Sequence, residues 1–219
     1  MDMNLLVEGL IQYIGLVILL TFHEFGHAWM ALKCGDDTAK LQGRVSLNPL
    51  VHIDPIGTVA IPLFALFLSM QGSGLGSFLI GWARPVPVNP YNLRNQKLDD
   101  ILVTLAGPWM NVLLAIALIG LGRLFLFAGI PVAVEVCLGW AFISLLLCFF
   151  NLLPIPPLDG SQVVRCLLNI SYEAYYQMAR YGFIVLIIVL QIPAVRQVIA
   201  FLSDRSFVAI ARVFGFVGG

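Results

Sequence analysis

Apolar stretches long enough to cross a bilayer alternate along this chain with short polar segments, and the alternation predicts the elements. Residues 5–33 are largely apolar and predict a first transmembrane helix, since about 20 residues span the hydrocarbon core. The helix is interrupted in its second half by His23-Glu24-Phe25-Gly26-His27. Residues 34–54 are polar, with a short alternation at Arg44-Val45-Ser46-Leu47 and an Asn48-Pro49 turn, so they read as a small β loop on the cytoplasmic side. Residues 55–83 hold two apolar pieces separated by Gln71-Gly72-Ser73-Gly74. They read as a re-entrant hairpin, because a single crossing would strand Arg84, Arg94 and Lys97 outside. Arg84-Pro85-Val86-Pro87-Val88-Asn89-Pro90 is extended, each residue before a proline being pushed out of the α region. Residues 98–127 and 131–153 are two further spans around the Gly129-Ile130-Pro131 turn. Pro154, Pro156 and Pro157 then stop the helix and stiffen the approach to Asp159. A short helix at about 161–170, a span at 174–192 and an amphipathic or weak last span at 194–215 complete the chain.

The fold class is therefore an all-α polytopic membrane protein, one transmembrane domain over residues 1–219. Its three-helix core (5–33, 98–127 and 131–153) is joined by the hairpin, the β loop and C-terminal helices. Composition sharpens this. The 219 residues are 60% hydrophobic and only 11% charged, with a mean hydropathy of +0.94, whereas a soluble domain is closer to half apolar and a quarter charged. Twelve basic and twelve acidic residues balance, so no basic field offers itself to nucleic acid. Cys34, Cys137, Cys148 and Cys166 form no CxxC pair and read as small buried hydrophobes. The N-terminus lacks the basic region and cleavage site of a signal peptide, so the first span is expected to be retained. No positive charge precedes that span, whereas Lys33, Lys40 and Arg44 follow it. The positive-inside rule then puts the N-terminus outside and the 23–27 end towards the cytoplasm of a multi-pass cell-membrane protein.

Ionisable groups at membrane depth are expensive and mark functional sites. His23 and His27, four residues apart, share one helical face and can reach one metal ion. Glu24 beside them can act as general base towards water activated by that metal. A catalytic zinc takes three protein ligands and keeps one open position. With only three histidines in the chain, the third ligand is His52, Asp54, Asp159 or another acid. Asn111 is the other polar candidate: its amide can donate to a tetrahedral oxyanion or make an interhelical hydrogen bond. His52 could assist the oxyanion or hold its own loop. Asp54 before Pro55 reads as a helix cap, Gly107-Pro108 as a close-packing point and Arg84 as a loop charge.

HEFGH, GRVSLNPLVHIDPIGT, RPVPVNPYNLRN, LAGPWMN and NLLPIPPLDG, in that order over about residues 15–165, resemble the site-2 protease family of intramembrane zinc metalloproteases, in its short prokaryotic branch. The resemblance implies that His23, His27 and Asp159 hold one Zn2+ and that Glu24 is the catalytic base. It implies a metalloendopeptidase that cuts transmembrane segments of membrane-anchored substrate proteins near the cytoplasmic side, in regulated intramembrane proteolysis. The bilayer, such substrates and a regulatory membrane protein are the expected partners; nothing in the chain specifies an oligomeric state. The 34–54 segment is expected to pair with an unwound substrate strand by β-addition. The rival reading is a zinc-binding membrane protein without protease activity, such as a metal transporter. It calls for polar residues along a path across the bilayer, and the spans at 98–127, 131–153 and 174–192 carry few.

Overall fold

The computed structural model describes residues 3–70 and 82–216. Every regular element among them is helical. Helix α1 (Met3–Cys34) is followed by a one-turn α2 (Thr38–Leu41) and, after the 34–54 segment, by α3 (Ile61–Met70), which continues a π-helical turn at Pro55–Ala60. Then come α4 (Gln96–Phe127), α5 (Pro131–Asn151), α6 (Asp159–Leu167), α7 (Tyr172–Ala179), α8 (Gly182–Leu190) and α9 (Pro193–Val213). Three of these helices, α1, α4 and α5, are long and apolar enough to cross a membrane, and the protein is a membrane protein.

Helix α4 is the centre of the bundle, packed against α1 on one side, α5 on another and α6 near its start. Between α4 and α5 the core is made of Ala115, Ile119, Ala141 and Leu145, with Phe207 and Ile210 of α9 and Phe214 just after it laid against it. Small residues let α1 and α4 approach closely. A Cβ on Gly26 would stand 2.7 Å from the Ala106 carbonyl oxygen, and one on Gly107 would stand 2.3 Å from the His27 ring. Close approach through small residues is how membrane helices gain packing contact where no hydrophobic force drives them together.

One expectation is corrected. No strand forms in residues 34–54, and the small β loop is not there. Short polar side chains take the backbone partners that a ladder would need. Asp36, fully buried, accepts from the Thr38 N–H and hydroxyl, from the Asn89 N–H at 2.7 Å and from the Asn92 amide at 2.9 Å. Ser46 accepts from Asn48 N–H, and Asn48 in turn from Leu50 N–H, both at 3.1 Å. Arg44 donates to the carbonyls of Val51, Arg84 and Pro85. The 174–192 stretch is bent, with α7 and α8 meeting at 55°. Only Gly182–Leu190 is continuously apolar, α7 carrying Glu173, Gln177 and three tyrosines.

Of the expected hairpin over 55–83, the first apolar piece is α3 and the π-helical turn before it; residues 71–81 lie outside the described residues. The chain reappears beside its point of entry. Trp82 N–H donates to the Gly57 carbonyl at 3.2 Å, Thr58 donates to the Trp82 carbonyl at 2.8 Å and Arg84 N–H donates to the His52 carbonyl at 2.9 Å.

Candidate metal centre

Helical periodicity places the imidazoles of His23 and His27 side by side near the C-terminal end of α1, their ring centroids 4.7 Å apart and their planes at 84°. Asp159 comes to them as the first residue of α6, just after the proline-rich turn that ends α5. Its Oδ2 lies 3.3 Å from His23 Nε2 and 3.5 Å from His27 Nε2, and the two Nε2 atoms are 3.1 Å apart. His27 Nδ1–H donates to the Val103 carbonyl of α4 at 2.8 Å, which leaves its Nε2 lone pair aimed at the carboxylate. Asp159 Oδ2 is buried with no hydrogen-bond donor of its own. Acceptor atoms converging in this way require a shared cation or extra protons.

The triangle fits zinc. Bonds of about 2.0–2.1 Å at tetrahedral angles separate ligand atoms by roughly 3.3–3.4 Å, and the three edges here measure 3.1, 3.3 and 3.5 Å. No other group of three metal-ligating side chains occurs among the described residues.

A cavity of about 530 Å³ opens onto the triad. Glu24 lines it beside His23 and His27, and its carboxylate accepts from the Val86 N–H at 3.0 Å. Val86 belongs to the extended, proline-spaced segment 83–89, whose Pro85, Val86, Pro87 and Val88 form one wall. Buried charges pin this segment: Glu24 at Val86, Arg44 at Pro85 and Asp36 at Asn89.

The remaining sequence candidates divide. Asn111 is fully buried in α4, outside the cavity lining, with its amide nitrogen 3.3 Å from His23 Nδ1. Ser144 of α5 donates to the Asn111 backbone carbonyl at 2.8 Å. Asn151, quoted in the sequence only as the start of a motif, does line the cavity, and its amide donates to the Leu147 carbonyl at 2.9 Å. His52 is buried away from the triad and donates from Nε2 to the Ser46 carbonyl at 2.8 Å; burial, ahead of any other influence, holds its pKa below the ordinary histidine value. Asp54 caps the helix after it, accepting from Ile56 N–H at 3.0 Å and Gly57 N–H at 2.7 Å.

Sequence reasoning missed the group that holds α6 in place. Asp100 of α4 is buried in an ion pair with Arg165 of α6, and Tyr172 donates its hydroxyl to the same carboxylate at 2.6 Å. The Arg165 guanidinium lies over the Tyr172 ring, 3.9 Å from its centroid. Asp100 precedes Val103 by one helical turn, so one stretch of α4 anchors both His27 and the helix that carries Asp159. The available signal was Arg165 itself, a lone charge in the apolar run Val163-Val164-Arg165-Cys166-Leu167-Leu168.

Comparison with known proteins gives the family. Residues 11–136 and 130–190 match the family model described as Peptidase family M50. The chain is 39% identical over 188 residues to "Putative zinc metalloprotease YwhC" of Bacillus subtilis, covering 82% of this chain and 80% of that protein. It is 30% identical over 196 residues to "Putative zinc metalloprotease Rip2" of Mycolicibacterium smegmatis, covering 85% and 72%. A Rip2 of Mycobacterium tuberculosis matches at 34% identity over 147 residues, covering 67% of this chain and 52% of the relative. No solved structure gives a significant match. The matched stretches contain both the helix of the two histidines and the turn that delivers Asp159, and the chain belongs to peptidase family M50.

Proposed function

We propose that this zinc metalloprotease cuts transmembrane segments of other proteins within the membrane, near its cytoplasmic face, with His23, His27 and Asp159 as the zinc ligands and Glu24 as the catalytic base. The observation that carries the reading is the convergence of His23 Nε2, His27 Nε2 and Asp159 Oδ2 at 3.1–3.5 Å in a helical membrane core. Bound zinc supplies Lewis acidity and activates water at neutral pH. The protein's own residues do the rest. Glu24, on the cavity side of α1, takes a proton from the attacking water and returns it to the departing amine. Asn151 is the cavity-lining amide suited to meet charge developing on the carbonyl oxygen, a role for which donors aimed at the oxyanion matter most. The substrate enters as an unwound strand, because in a helix each carbonyl is already hydrogen-bonded within its own chain.

The cytoplasmic assignment is supported by charge. Lys33 lies in the last turn of α1 with Lys40 and Arg44 after it, and Arg84 and Arg94 precede α4 with Lys97 in its first turn, all at the end of the bundle nearer the triad, which the positive-inside rule turns to the cytoplasm. Cleavage at that depth releases a cytoplasmic or membrane fragment of the substrate, the output expected of regulated intramembrane proteolysis.

The test is Glu24→Gln compared with wild type on a membrane-anchored reporter. Zinc content should be unchanged and cleavage should fall by at least about 10²-fold, the lower end of what a general base contributes. Full cleavage by the variant rejects the mechanism. Zinc flux in reconstituted vesicles without reporter cleavage favours the transporter reading instead.

A further inference from the structure

The two histidines are supported differently at their far ring nitrogens, and one support is incomplete as it stands. His27 Nδ1–H is held by a backbone carbonyl, that of Val103. His23 Nδ1 faces the Asn111 amide nitrogen at 3.3 Å, an arrangement in which Asn111 donates and His23 Nδ1 is an unprotonated acceptor. A neutral ring then carries its proton on Nε2, the atom that points at Asp159 and His27. That tautomer cannot ligate through Nε2. Meanwhile Asn111 Oδ1 is buried with no hydrogen-bond partner, on a side chain with no exposed surface.

We infer that Asn111 is a positioning residue for His23: with its amide oriented so that Oδ1 faces the ring, it accepts from His23 Nδ1–H and holds the ring with Nε2 bare. This rests on the zinc reading above. Rotation by about 180° exchanges the amide oxygen and nitrogen with little other displacement, and it brings the orphaned oxygen to the nitrogen that must carry a proton when Nε2 is a ligand. Metal-binding histidines generally donate their second N–H to a carbonyl or carboxylate, which fixes tautomer and orientation. Val103 does this for His27 and Asn111 for His23. Ser144, fully buried on α5, holds the Asn111 backbone carbonyl and ties this support to the neighbouring span.

Zinc affinity, measured by chelator competition in detergent, tests the assignment. Asn111→Leu should bind zinc about 10–100-fold more weakly than wild type, the usual loss when such a support is removed. Asn111→Asp, which keeps an acceptor at the same place, should recover most of that loss. Equal weakening in both variants, or wild-type affinity in Asn111→Leu, overturns the inference. If the buried carboxylate prevents folding, histidine 15N NMR of the zinc-loaded wild type decides. His23 is expected to be protonated at Nδ1 and ligated at Nε2, with His52 as an internal non-ligand reference; ligation through Nδ1 overturns the inference. Absence of zinc binding by wild type would instead bring down the metalloprotease reading on which this one rests.

Discussion

His23 and His27 come from adjacent turns of one helix, whereas Asp159 arrives after two more spans and a run of prolines. The first half of the centre needs only the helical period and room for two rings, and Gly107 supplies the room. The second half needs α6 to be seated and turned correctly on α4. That seat is the buried cluster of Asp100, Arg165 and Tyr172. One half is local and cheap to specify; the other depends on groups far apart in the chain, so the two should fail in different ways.

The largest effect is expected at the seat. Arg165→Met leaves Asp100 buried without its cation, which typically costs about 3–5 kcal/mol. Thermal unfolding should show the loss, and zinc should bind more weakly although no ligand has been touched. Adding Asp100→Leu should restore much of the stability, because a well-packed apolar pair often replaces a buried ion pair without loss. A single variant as stable as wild type would show that the seat lies elsewhere. Gly107→Ala attacks the local half. Its new methyl would meet the His27 and His23 rings, and such overpacking costs about 1–3 kcal/mol. Zinc content should fall in step; unchanged content would mean that the rings have space in reserve. The smallest effect is expected away from both halves. Asp54→Ala removes a helix cap worth about 1 kcal/mol and should leave zinc content intact, which calorimetry and metal analysis on one sample can establish.

The same division explains what could be read from the chain. The α1, α4 and α5 helices and the two-histidine face follow from local periodicity, and the extended wall at 83–89 from prolines that restrict their neighbours covalently. The Asp54 cap was visible in the same way, as an acid directly before Pro55. Arg44-Val45-Ser46-Leu47 misled because alternation describes only side chains, while Asp36, Ser46 and Asn48 settle the backbone's hydrogen bonds among themselves. The bend between α7 and α8 was hidden by average hydropathy, which does not register that the polar residues gather in the first half. Asp100 stands next to Asp99 near the start of α4, where acids complement the helix dipole. Asp99 does bond the Asn95 N–H at the start of α4, but Asp100 turns inward to a partner in α6. The approach of Asn111 to His23 is likewise a contact between helices, and no spacing along one helix announces it.

The central claim is that the HExxH face and Asp159 form a single metal centre. Zinc per chain, measured on purified wild type and Asp159→Ala with folding checked for both, tests it most directly. The account predicts about one zinc in the wild type, as expected for a three-ligand site, and a large loss in the variant. Zinc retained by Asp159→Ala with wild-type affinity would contradict it.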